Sequence, residues 1–143
     1  MTAYIDTSAL AKCYVREPRS LEVLDWVERQ GVPTTAILTL VEFRCLLARR
    51  KRAGQIDAVL EQRALAAFDG HVRDAAWKIQ PLSVGDYASA RDLIAIVPAV
   101  ALRALDALHL AAARACNATA FATSDRVQAD AAEALGFAVH RFY

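Results

Sequence analysis

Short apolar runs alternate with longer segments of helical periodicity along the whole chain, and this alternation limits the possible folds more than any other feature. Strands that are joined through helices pair in parallel, and a parallel sheet must be covered on both faces. Ala3-Tyr4-Ile5 reads as a short buried strand, followed by a helical pattern from Ser8 to about Val15 that Pro18 interrupts. Ser20 is placed to cap a helix running to about Gln30, with Leu21, Leu24 and Val27 on one face. Gly31 and Pro33 precede a strand from Thr34 to Ile37. A long helix from about Leu40 to Ala53 then stops at Gly54. The next helix is expected from Ile56 to about Phe68, ending at Gly70, and a third strand from Trp77 to Leu82. Helices from Val84 to Val97 and from Arg103 to Cys116 lead to a strand from Ala120 to Thr123, a helix from Val127 to Leu135 and a last strand from Ala138 to Arg141. The expected fold is α/β, a three-layer α/β/α sandwich around a central, mainly parallel sheet of about five strands. No linker, low-complexity tract or repeat divides the chain, so residues 1–143 are expected to form one domain.

Hydrophobic residues make up 56% and charged residues 23%, which supports a real core and excludes a disordered chain. The formal net charge of +1 does not mark a nucleic-acid binder, so any such role must rest on local clusters. Mean hydropathy of +0.22 raises the question of a membrane span. The longest apolar run, Leu93 to Leu102, contains Pro98 and reaches about half of the ~20 residues a span requires. Asp6 and Lys12 interrupt the N-terminal apolar stretch, so no signal peptide is read and a cytoplasmic location is expected. Cys13, Cys45 and Cys116 are scattered, which argues against a disulfide framework or a zinc site and for buried thiols. His71, His109 and His140 are not spaced as metal ligands. His109, three residues after Asp106, reads as an ordinary partly buried histidine within reach of that acid.

In an open parallel sheet, ligands bind beyond the carboxyl ends of the strands, where strand order reverses. Asp6 ends the first strand and Asp125 follows the fourth, so the two meet if those strands are neighbours. Helix capping explains either of them equally well. Glu42 and Asp106 lie in strongly apolar helical segments, where a lone carboxylate needs a cation or a proton. Ion pairs with Arg44 and Arg103 are the alternatives there. Glu22, Asp25, Glu28, Glu61, Asp92 and Glu133 fit ordinary charged helix faces. Four carboxylates in one pocket would repel one another without a cation, and an all-oxygen set points to Mg²⁺ or Mn²⁺. Such a site activates water for phosphodiester hydrolysis. Thr7, Ser8, Thr123 and Ser124 would surround it with hydroxyls.

Tyr4-Ile5-Asp6-Thr7-Ser8-Ala9-Leu10, Leu40-Val41-Glu42, Arg103 to Ala111 and Phe121-Ala122-Thr123-Ser124-Asp125 together resemble the PIN domain, more narrowly the VapC toxins of toxin–antitoxin pairs. The first and third segments are the specific ones. This resemblance implies a three-layer sheet with its first and fourth strands adjacent. It also implies a Mg²⁺- or Mn²⁺-dependent endoribonuclease acting on tRNA or rRNA, a homodimer and a VapB-type antitoxin partner. Asp6, Glu42, Asp106 and Asp125 align with the family's acidic quartet and Thr123 with its usual hydroxyl, Asp125 occupying the most variable position.

Arg49-Arg50-Lys51-Arg52, with Arg44 upstream, is the only dense basic run. It complements the dipole at a helix end, or it grips RNA phosphates beside Glu42. A haloacid-dehalogenase-type phosphatase would need an acid where Ser8 stands, and a receiver-like module would need adjacent acids and a late lysine where Arg126 stands. A non-catalytic binding module and a related DNA nuclease are the remaining alternatives.

Overall fold

The computed structural model describes residues 1–143, and all five strands lie in one parallel sheet. The strands are β1 (Thr2–Ile5), β2 (Thr34–Ala36), β3 (Lys78–Gln80), β4 (Ala118–Thr123) and β5 (Ala138–Arg141), in the order β3-β2-β1-β4-β5. The helices are α1 (Thr7–Leu10), α2 (Ser20–Gln30), α3 (Thr39–Arg52), α4 (Ala58–Arg73), α5 (Val84–Ile96), α6 (Ala104–Ala115) and α7 (Arg126–Ala134). No helix is long and apolar enough to cross a membrane.

The alternation of side chains along β1 divides the core. Ala3 and Ile5 face a layer holding Leu10, Val23, Trp26, Phe43, Leu47 and Phe68, so α1 to α4 cover that side. Tyr4 points the other way, into a layer with Leu93, Leu108, Leu110, Phe121 and Ala131 from α5, α6, β4 and α7. The α/β/α sandwich expected from the sequence is therefore the observed fold. From β1 the chain builds outward through β2 to β3, then crosses to add β4 and β5 on the other side of β1. Strand order reverses between β1 and β4, whose register pairs Ile5 with Ala122.

Four local expectations are corrected. Ser20 does not cap α2: Arg19 precedes the helix at φ 72°, and the buried Ser20 hydroxyl accepts the backbone N–H of Glu17. The core face of α2 carries Ser20, Val23 and Trp26, leaving Leu21 70% and Leu24 44% exposed. Trp26 has more apolar area to bury than either leucine and decides which stripe turns inward. Gly70 does not end α4, which continues to Arg73 because Phe68 and Val72 pack on the core and a single helical glycine costs only ~1 kcal/mol. Of the three cysteines expected to be buried, Cys13 and Cys116 are half-buried and Cys45 is exposed. Burial pushes the Cys13 thiol up to about 12.

Candidate active site

The carboxyl ends of β1 and β4 form one edge of a cavity of about 1030 Å³ whose lining includes Asp6, Glu42, Asp106 and Asp125. Asp6 is buried immediately after β1, where its backbone N–H donates to Ala122 O across the switch point (3.1 Å). Thr123 donates to Asp6 Oδ2 at 2.5 Å, while Ser8 Oγ (2.7 Å) and the Ala9 N–H (3.1 Å) donate to Oδ1. Burial pushes the Asp6 carboxyl above its ordinary range, against the opposing pull of those three donors. Thr123 Oγ1 also accepts the Asp125 N–H at 3.0 Å, so one threonine ties the end of β1 to the loop after β4.

Capping and membership of the cavity turn out to be compatible. Asp6 caps α1 through Oδ1, and Asp125 caps α7 through Oδ1 to the Gln128 N–H at 2.9 Å. Asp125 Oδ2 lies 3.4 Å from the Arg103 guanidinium, whose Nε lies 3.2 Å from Asp106 Oδ2. The ion pair anticipated for Asp106 is thus present, and Arg103 spans two acids rather than one. Its side chain is 74% exposed, so the pairing contributes little to stability.

The ion pair considered for Glu42 is absent: Arg44 turns to Glu61 at 3.2 Å. Glu61, read from sequence as an ordinary surface charge, is a buried acid held by Arg44 and Lys51. Glu42 Oε1 instead accepts the Thr7 hydroxyl at 2.7 Å and lies 2.5 Å from His109 Nε2. His109, expected to be partly buried and within reach of Asp106, is 3% exposed and touches the site through Glu42. Its i, i+3 spacing from Asp106 was the available signal. Nothing local in the sequence pointed to Tyr4, whose hydroxyl lies 2.6 Å from His109 Nδ1.

Asp6, Thr123 and Asp125 therefore form one hydrogen-bonded group, Arg103 joins Asp125 to Asp106, and Glu42 is anchored separately. The acids share a cavity, but no three carboxylate, imidazole or thiol groups are gathered into a ready-made metal cage. Donor chemistry nonetheless fits a hard cation, since the acids offer only oxygen and buried Asp6 has only neutral hydrogen-bond partners.

Comparison with known proteins agrees with this fold. The family profile described as PIN domain matches residues 3–134. Ribonuclease VapC47 of Mycobacterium tuberculosis is 34% identical over 140 residues, covering 94% of this chain and 92% of the relative. The crystal structure of M. tuberculosis VapC20, described as a sarcin-ricin loop cleaving toxin, superposes with a TM-score of 0.72 at 19% identity, covering 95% of this chain and 96% of that one.

Proposed function

The chain belongs to the PIN-domain family, and on that premise we propose that it is a metal-dependent endoribonuclease acting as the toxin of a toxin–antitoxin pair. The observation that carries this reading is the convergence of Asp6, Glu42, Asp106 and Asp125 on one cavity at the switch point of a parallel sheet. The ribonuclease relative supports RNA as the substrate; tRNA or rRNA is the class proposed from the family resemblance.

We assign the four carboxylates as the ligands of Mg²⁺, with Mn²⁺ as the alternative. When bound, the ion would supply an activated water and offset charge developing on the phosphodiester. Thr123 and Ser8 hold both oxygens of Asp6 in place. Arg103 supplies positive charge between Asp106 and Asp125. Induced expression in a bacterial host tests the toxin role directly: growth arrest by the parent chain and normal growth with Asp106→Asn are expected. Equal arrest by both would contradict it.

Only part of the basic run is available for RNA. Arg44 and Lys51 pair with Glu61, and Arg50 pairs with Glu17 at 2.6 Å. Arg49 lines the cavity, two helical turns beyond Glu42. Arg49→Gln is expected to weaken RNA binding and lower the salt slope, log K against log[salt], by about one. Lys51→Gln should leave the slope unchanged, and an unchanged slope for Arg49→Gln would remove it from the interface.

A VapB-type antitoxin is the proposed partner. Exposed Ile37, Val41, Tyr87 and Leu105 line the same cavity, giving it an apolar rim around acids. A partner that buries this rim and presents a basic side chain to the acids would inhibit, and a complex with full nuclease activity would contradict that mode. A homodimer belongs to the same proposal, with exposed Ile94 and Ile96 of the long apolar run as its candidate contact. Sedimentation at rising protein concentration is expected to give twice the chain mass, and a constant monomer mass would exclude it.

A further inference from the structure

Helical spacing places His109 one turn after Asp106, with Asp106 half-buried in the cavity lining and the histidine ring buried. The ring is the middle member of a buried chain. Tyr4 Oη lies 2.6 Å from Nδ1, and Nε2 lies 2.5 Å from Glu42 Oε1. A bare Nε2 would set its lone pair against a carboxylate oxygen at that separation, so Nε2 carries a proton and donates to Glu42. Nδ1 is then the bare ring nitrogen and accepts the Tyr4 hydroxyl proton. Thr7 donates to the same Glu42 oxygen, which leaves Oε2 as the oxygen without these donors.

We infer that Tyr4 and His109 are positioning residues, which hold the Glu42 carboxylate in one orientation toward the cavity without touching substrate. This inference rests on the nuclease reading and adds two residues to it. A histidine that served only to fill the core would not need its ring fixed between a phenol and a cavity acid. Groups that orient a ligating side chain typically affect metal affinity or activity by ~10- to 100-fold.

Tyr4→Phe removes one hydroxyl and almost no volume, so it tests the chain without opening a hole. With total bacterial RNA as substrate, kcat is expected to fall about tenfold with KM unchanged, and Mn²⁺ binding followed by electron paramagnetic resonance to weaken by about tenfold. In a Glu42→Gln background, Tyr4→Phe should produce no further fall in kcat. Equal losses in both backgrounds overturn the inference, as do parental kcat and Mn²⁺ affinity in the single variant. Nitrogen-15 NMR of His109 in the metal-free parent reads the ring independently: a protonated Nε2 is expected, and a bare Nε2 overturns the positioning role alone. A folded parent chain that neither binds Mn²⁺ nor cleaves RNA overturns the nuclease reading and the positioning role with it.

Discussion

Asp6→Asn is expected to reduce RNA cleavage by about 100- to 1000-fold while leaving the thermal midpoint equal to or above that of the parent chain. The catalytic loss follows from removing a negative charge at the switch point, where preorganised electrostatics is worth ~3–4 kcal/mol. The stability effect has the opposite sign. Burial raises the Asp6 carboxyl above its ordinary range, so its charged form is less favoured folded than unfolded at neutral pH. Asparagine removes that burden and retains an oxygen for the Ala9 N–H. Cleavage assays and calorimetry on the same preparations measure both effects. Near-parental cleavage, or a large fall in midpoint, would contradict the assignment of Asp6 to function over structure.

Phe43→Ala is expected to lower stability by about 3–5 kcal/mol. Phe43 is fully buried next to Glu42 on α3, with ring centroids 4.8 Å from Phe68 and 5.3 Å from Tyr14. Such a loss is a large share of the ~5–15 kcal/mol typical of a domain. It corresponds to a fall in thermal midpoint of about 10–17 °C. Val41→Ala, two residues away but exposed, should shift the midpoint by no more than a degree or two. Similar shifts for the two variants in a melting experiment would remove Phe43 from the core.

The parallel sheet was legible because its strands are short apolar runs and each crossover carries a helix-length segment. Asp6 and Thr123 were legible for the same reason, since they close β1 and β4 and those strands proved to be neighbours. Periodicity could not decide which stripe of α2 faces inward, because Leu21, Leu24 and Val27 repeat at the same interval as Ser20, Val23 and Trp26. The caps formed by Asp6 and Asp125 were local and therefore readable, as was the i, i+3 pairing of Arg103 with Asp106. Tertiary pairing was not readable in this way. Glu42 meets a histidine 67 positions away, and that histidine meets a tyrosine 105 positions away. Arg44 took Glu61 as its partner, 17 residues on, because α3 and α4 pack together. Charge type suggested a pairing for each acid, but only the fold selected the partner.

On the proposed mechanism, this cavity hydrolyses RNA through a bound divalent cation. The most direct test is to incubate the purified, antitoxin-free chain with total bacterial RNA in Mg²⁺, in Mn²⁺ and in excess chelator. Discrete fragments are expected with either metal, disappearing on chelation and returning when the metal is restored. Fragments that persist in chelator, or intact RNA in both metals with folded protein, would contradict the account.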